Sequence, residues 1–463
     1  VSNAKSLRFF ENAAIAGYAV LTALTVWRHE PWSDEANSWL LARDASLVDL
    51  WTHLMHYEGT PAIWHTLLYI LIHLGMPYWA LNLFTGSLGC LAAWTLIRKA
   101  PFAAPIRLAL PFTFYLFYQY SVVARSYCLL PLLLIACASL YRRADEKPVA
   151  FTAMLALMAG VSVHGMILSG AIWASWQWEQ WQAKQSTRKQ QAVLGIGYAL
   201  VVLALVWSAW PARDVFFAAE RDYSLENVVT TAGDTLANAF TGEWISSLIV
   251  VAAGVPLLWR GRGLTMFVMA GTGLCLFNAF VYSNVWHLGI LFLAWLFAMW
   301  ISAERAQLHW MATFAMTAAV AVQGVWTAKT VAFDWNNPYS GSKAAAQYLR
   351  DQGIDRKNLY GFGYACVGVQ PYFPENRFIN FRGGGKETFY DWSISFRNFE
   401  GLDELKSLRP EYILVGYKTD DERSDTGLTV KQAGYRLLKH FEGNLYWHGA
   451  VFEPDGLDLY RRN

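Results

Sequence analysis

Charge is scarce in this 463-residue chain. Asp, Glu, Lys and Arg make up 16% of it against 55% hydrophobic residues, a poor surface for an ordinary soluble enzyme. The net charge is only +2, and the basic residues are scattered through loops. No stripe of Lys and Arg remains to track a nucleic-acid backbone, which argues against nucleic acid as a partner. Four of the five cysteines, Cys90, Cys128, Cys137 and Cys275, lie in apolar runs where a thiol is a small packing group. Cys366 stands alone in the polar tail, so a disulfide within the tail is excluded. Repeats of solenoid period are missing. The clusters Gly361-Phe362-Gly363 and Gly383-Gly384-Gly385 lack the further glycines or lysine that a phosphate-cradling loop requires, so no nucleotide cofactor is expected. Val1-Ser2-Asn3-Ala4 reads as an expression scar with no cleavable signal peptide behind it, and the first apolar run as a retained anchor.

What charge there is sits unevenly. Residues 1–333 hold 37 of the charged residues and residues 334–463 hold 35, in a stretch less than half as long. The first part has the composition of a membrane domain and the last 130 residues that of a soluble one. A hydrocarbon core about 30 Å thick needs about 20 apolar residues per helix. Spans are expected near 11–28, 78–97, 106–122, 127–141, 149–163, 165–182, 191–210, 244–259, 264–282, 286–303 and 309–331, with a break shared at His164-Gly165. The segment 61–75 begins after Pro61 and is short. Letting it lie re-entrant places Lys5/Arg8, Arg98/Lys99/Arg107, Arg142/Arg143/Lys147, Lys184/Arg188/Lys189, Arg260/Arg262 and Arg305 all in the cytoplasm. The expected fold is therefore mainly α: a polytopic bundle of about eleven transmembrane helices, N-terminus cytoplasmic, followed by a soluble exoplasmic α/β domain. The first loop 29–77, Arg125, His164, the loop 211–243, the 283–287 turn and the tail share the exoplasmic side. In the tail, Ser342 is expected to cap a helix through Asp351 that stops at Gly353. Strands are expected at 358–363, 377–381, 412–417 and 457–461, with a helix over 402–408.

Polar residues that gather on that side carry the chemistry. Trp32-Ser33-Asp34-Glu35-Ala36 places two carboxylates at a membrane surface, a costly arrangement unless they are used. The plainer reading is Ser33 as an N-cap with both acids in the first helical turn, favoured by the dipole. His56-Tyr57-Glu58-Gly59-Thr60-Pro61 sets a carboxylate beside a histidine, suited to orienting a metal or phosphate, against the reading of a solvated loop. Arg125, in Gln119-Tyr120-Ser121-Val122-Val123-Ala124-Arg125-Ser126-Tyr127, is a permanently charged fork between apolar runs. It fits a phosphate better than simple snorkelling, because the topology turns it toward the acidic loop. His164 and His287 are each ordinary interfacial histidines alone, and their shared side draws attention to both.

These residues together resemble the polytopic GT-C glycosyltransferases, the polyprenyl-phosphate-sugar transferases related to protein O-mannosyltransferases and lipid A aminoarabinose transferases. Asp34-Glu35-Ala36 followed by Trp39-Leu40-Leu41-Ala42-Arg43 is similar to that family's first-loop acidic motif. Glu58-Gly59-Thr60-Pro61-Ala62-Ile63-Trp64-His65 is similar to its proline-bearing segment, with Thr60 in place of the first proline. Tyr118-Gln119-Tyr120 with Ala124-Arg125-Ser126-Tyr127 resembles its Ala-Arg-x-Tyr stretch, with Val123 where an acid often stands. The resemblance spans about residues 30–180. It implies an exoplasmic transferase of the bacterial inner (plasma) membrane that moves a sugar from an undecaprenyl- or dolichyl-phosphate donor to a glycan, lipid or protein acceptor. Asp34 would be the general base and Glu35 would position it or the sugar. Arg125, Tyr127, His164 and His287 would bind the donor phosphate. Glu58, with His56, would hold a divalent cation. Membrane lipids would surround helices 264–303, which offer a groove for the lipid tail. The loop 211–243, carrying Arg213, Asp214, Glu220, Arg221 and Asp222, is long enough for a lid or is a plain connection. The tail selects the acceptor or caps the bundle. The competing classes are a lipid-linked glycan flippase, which would want repeated halves, and a non-catalytic assembly protein.

Overall fold

Long runs of Leu, Ala, Val and Trp with few interrupting glycines or prolines fold as helices, so the chain is mainly helical, with a small sheet region at its C-terminal end. The computed structural model describes residues 2–183, 188–216, 222–397 and 402–463. Lys184, Glu220 and Arg221 lie outside those residues. Among the described residues, five helices are long and apolar enough to cross a membrane: Lys5–Arg28, Tyr78–Lys99, Lys189–Ser208, Val285–Ala303 and Trp310–Asn336. A sixth forms if Leu225–Phe240 and Trp244–Arg260, bent by 72° at their junction, act as one span.

Of the remaining expected spans, 165–182 folds as one helix, Val163–Ala183, and the others as shorter or broken pieces. Pro111 interrupts 106–122, which becomes a helix Ala104–Ala109, a tight turn and a wide-wound segment Tyr115–Val122. Pro148–Ala159 is 12 residues long, roughly 18 Å at about 1.5 Å per residue. The break expected at His164-Gly165 falls instead just before it, because Ala159 ends one helix and Val163 starts the next. His164 therefore sits in the first turn of a 21-residue helix, Val163–Ala183. The segment 61–75 forms Ile63–His73, 11 residues and too short to cross.

The bundle's outer face is apolar. On Lys189–Ser208, Val193, Ile196, Leu200 and Leu203 recur along one face and each stays about three-fifths exposed. That stripe has no protein partner among the described residues and matches a lipid-facing surface. Val285–Ala303 is the opposite case, almost wholly enclosed by other helices. At one end of the bundle Arg98 and Arg107 grip Glu11, and Arg305 forks onto Glu179 at 2.7 Å. At the other, α1 (Ser2–Arg28) meets the end of Trp310–Asn336, where Arg28 donates to the Trp335 carbonyl at 2.8 Å.

The tail follows the helix that ends at Asn336, three residues beyond the boundary expected at 333/334. Its four-stranded sheet runs in the order β1 (Leu359–Phe362), β2 (Tyr412–Tyr417), β6 (Gly456–Arg462), β3 (Tyr435–Phe441). β1 and β2 are parallel and the other pairings antiparallel. β2 is buried along its whole length, as its unbroken run Tyr412-Ile413-Leu414-Val415 demands of a central strand. A hairpin of β4 (Asn444–Trp447) and β5 (Ala450–Pro454) reaches back to the bundle, where His448 stacks on Trp326 at 3.7 Å.

Two tail expectations are corrected. Residues 377–381 make one bridge, Leu359 to Phe378, and no strand. Asn380 takes the place of a neighbouring strand: its amide accepts from the Gly361 N–H at 2.9 Å and donates to the Gly361 carbonyl at 2.7 Å. Ser342 is the first helical residue rather than the cap, since Gly341 holds that position and the Ser340 hydroxyl accepts from the Ser342 N–H.

The tail shares a hydrophobic core with the first loop. α2 (Ser33–Asp44) and Ile63–His73 contribute Leu40, Leu41, Trp64 and Leu68, which cluster with Leu349, Val367, Val369, Phe381 and Leu414. Loop 29–77 and the tail thus fold over the bundle end as one body, and Asp34 lies at its base.

Candidate functional site

Asp34 and Glu35 leave the start of α2 in different directions, because neighbouring residues on a helix are rotated by about 100°. Trp32, extended at φ −90° and ψ 178°, is the N-cap. The expected cap, Ser33, is turned away, its hydroxyl donating to Asp455 at 3.0 Å.

Glu35 points into dry protein. One carboxylate oxygen accepts from the Trp32 N–H at 3.1 Å and faces His29 Nε2 at 3.2 Å. The other accepts from Asn82 and from the Ala124 N–H, both at 2.6 Å. His29 Nδ1 lies 2.9 Å from Asp334, which also accepts from the Tyr118 hydroxyl at 2.8 Å. The side chains of His29, Glu35 and Asp334 are 0%, 0% and 1% exposed. Burial would drive the His29 pKa down, but the Asp334 and Glu35 carboxylates outweigh it and raise it to about 10. A doubly protonated ring then donates to both acids. Glu35 reaches no cleft and acts by fixing the turn that carries Asp34 and, through Ala124, the backbone beside Arg125.

Asp34 faces the other way and remains in reach of solvent. Its Oδ2 lies 3.1 Å from Arg125, which also donates to the Asp34 carbonyl at 2.9 Å. Tyr364 of the tail donates to Oδ1 at 2.8 Å. Asp34 and Arg125 keep 19% and 23% of their side chains exposed. Burial lowers the guanidinium's pKa, and Asp34 more than offsets that, so Arg125 is held firmly charged. The expected carboxylate and guanidinium meet, 91 residues apart in sequence.

The tail completes the surroundings. Gly363, at φ +83°, turns the chain out of β1, and a side chain there would strike the Gly416 carbonyl of β2. This close approach sets Tyr364 beside Lys418, whose ammonium lies 5.1 Å from the Tyr364 ring centre and 5.6 Å from that of Trp32. Asp455, held by Ser33 and by Ser340 at 2.6 Å, borders the same recess. Burial pushes its pKa up to about 6 against the pull of those hydroxyls.

The other expected residues divide. Tyr127 packs edge-on against His287 with ring centres 5.6 Å apart, and His287 stacks on His164 at 4.4 Å. His287 Nδ1 is buried and finds no hydrogen-bond partner among the described residues. His164 lies behind it, 3.4 Å from Asn278. The aromatic line Tyr127, His287, His164 thus leads away from Arg125 into the bundle. His56 is directed elsewhere, its Nδ1 2.5 Å from the Trp210 carbonyl. Asp214, of the expected lid, accepts from Tyr57 at 2.9 Å, and its carbonyl accepts from the Ile394 N–H, so this part of the loop is strapped to the tail.

Glu58 suits a cation poorly. Asn37 presents its amide nitrogen to Glu58 at 3.2 Å, an orientation fixed because the same amide accepts from the Tyr390 N–H and donates to the Tyr390 carbonyl. Asn37 thus takes one Glu58 oxygen, and His56, the other expected ligand, is directed to Trp210 instead. Burial lifts the Glu58 carboxyl to about 8, with Arg125 pulling the other way. No three His, Cys, Asp or Glu side chains gather in ligating geometry among the described residues.

Tyr364, Lys418 and Asp455 were not singled out from the sequence, nor were His29 and Asp334. A histidine directly after the first span and an aspartate at the end of the last are a legible signal for the latter pair, since both mark the same bundle end. Neither a family model, nor a curated protein, nor a solved structure matches this chain.

Proposed function

We propose that this chain is a membrane glycosyltransferase of the GT-C type, acting on the exoplasmic face of a bacterial inner membrane with residues 1–333 as its transmembrane catalytic part. The observation that carries the reading is the Asp34–Arg125 pair at 3.1 Å: a solvent-reaching carboxylate and a fixed guanidinium, side by side where the apolar bundle meets the polar tail. A base and an anion receptor in contact suit a displacement in which one end loses a proton and the other gains negative charge.

The donor is a polyprenyl-phosphate-linked sugar, its tail among the apolar helices and its phosphate on Arg125. Once the phosphate draws on the guanidinium, Asp34 is relieved of its counter-ion and becomes more basic. Asp34 takes the proton of the acceptor hydroxyl as its oxygen attacks the anomeric carbon. The bond from that carbon to the phosphate oxygen breaks, and its electron pair leaves with the polyprenyl phosphate. Arg125 stabilises the departing charge, with His287 next along the aromatic line. A positioned base contributes roughly 10²–10⁴-fold, and the single displacement inverts the anomeric carbon.

The test is transfer of labelled sugar from polyprenyl-phosphate donors by protein reconstituted in nanodiscs. Asp34→Asn keeps the size and the Tyr364 contact, and turnover is expected to fall at least a hundredfold with unchanged folding. Near-normal turnover removes Asp34 from the base role.

A further inference from the structure

The tail carries a buried-side cation that the transfer mechanism leaves idle. Lys418 follows directly on β2, whose last residues are fixed by the Gly363–Gly416 approach. Its side chain is 36% exposed, so the ammonium lies in a recess that solvent reaches. The walls are the Trp32 and Tyr364 rings. Its nearest carboxylate among the described residues is Glu453 at 3.8 Å, beyond hydrogen-bond reach. Asp455 is occupied by two serine hydroxyls, and Asp34 by Arg125 and Tyr364. Lys418 thus faces Asp34, Glu453 and Asp455 with no side-chain hydrogen bond to any of them among the described residues, which leaves its three N–H donors free to turn to a ligand. Tyr364 bridges the two cations: its hydroxyl binds Asp34, the partner of Arg125, while its ring faces Lys418.

We infer that Lys418 is a donor-binding residue, a second cation that grips the lipid-linked phosphate opposite Arg125, so that the C-terminal domain is part of the transfer site itself. This rests on the glycosyltransferase reading above. Arg125 comes from the bundle and Lys418 from the tail, so a phosphate between them would also clamp the two parts together. The alternative role for Lys418 is structural, tying β2 to the hairpin strand β5 through Glu453.

The two roles separate in a binding experiment on the full-length protein in detergent micelles. The probes are undecaprenyl phosphate and, as the phosphate-free comparison, undecaprenol, with inorganic phosphate as competitor. Lys418→Met is expected to weaken undecaprenyl phosphate about tenfold, the range of one lost charge-assisted bond, and to leave undecaprenol unchanged. Lys418→Arg should restore most of the affinity. Glu453→Gln removes the competing carboxylate and should tighten phosphate binding several-fold, whereas a structural tie predicts that it weakens binding as Lys418→Met does. Inorganic phosphate should compete with the lipid in the wild type and less so in Lys418→Met. Equal phosphate affinity in Lys418→Met and wild type, with Arg125→Ala still impaired, overturns the inference and leaves the transferase reading standing. A wild type that does not distinguish undecaprenyl phosphate from undecaprenol overturns both.

Discussion

Asp34 and Glu35 are neighbours in sequence and belong to different chemical worlds. Glu35 sits in a dry network with His29, Asp334, Asn82 and two backbone N–H groups. Asp34 sits in a recess that solvent enters, between Arg125 and the tail. In the dry cluster Glu35 and the His29 ring are satisfied by protein, and Asp334 Oδ1 alone of the cluster's carboxylate oxygens has no partner among the described residues. The wet one stays open to solvent through Asp34 and Arg125. Neighbouring carboxylates thus divide the labour, Glu35 fixing the turn that carries Asp34.

The sharpest way to break that comparison is to exchange the roles. Glu35→Ala leaves a buried imidazolium, an amide and two N–H groups without their acceptor, and should cost about 3–5 kcal/mol of stability. A thermal melt checks it, and Asp34→Asn should melt within a degree or two of wild type. Equal destabilisation by the two substitutions would erase the distinction between wet and dry.

Next in size is the donor side. Arg125→Ala should raise the donor KM by one to two orders of magnitude, the range expected for one lost charged contact, with the acceptor KM nearly unmoved. Initial rates with each substrate varied in turn will show this, and equal rises in both constants would return Arg125 to a structural or headgroup-anchoring role.

The smallest effect is in pH. His29 is raised from about 6.5 in the unfolded chain to about 10 in the folded one. Its contribution is therefore fully present below pH 6.5 and is lost as pH climbs through 10. Melting temperature should fall across that interval, and His29→Gln should flatten the fall. Glu58 has the same sign at lower pH: its carboxyl moves from about 4.5 to about 8 on folding, so its share of stability declines between those values.

Much of this was legible in the residues. A carboxylate after the first span and a lone arginine between two apolar runs, both assigned to one side by the basic loops, do meet at 3.1 Å. β2 covers the expected 412–417 without adjustment because four successive strand formers, Tyr412 to Val415, precede Gly416 and Tyr417. The segment Ile63–His73 is as short as its proline-bounded run implied. The role of Glu35 was only half legible. The turn of about 100° between the two acids puts Asp34 beside Arg125 and Glu35 among His29, Asn82 and two backbone N–H groups. Lys418 and Asp455 were illegible for a different reason. They are two charges among 35 in the tail, and what marks them is a contact with the first loop hundreds of residues earlier, which no local period encodes. The break near His164 was misplaced by a few residues because Gly160 ends the preceding helix before the histidine is reached.

The most direct test is an electron-density map of the full-length protein bound to undecaprenyl phosphate. The account predicts the phosphate against the Arg125 guanidinium, within reach of Asp34, with the isoprenoid chain running down among the helices. Phosphate density at the opposite end of the bundle, among Arg98, Arg107 and Arg305, would contradict it.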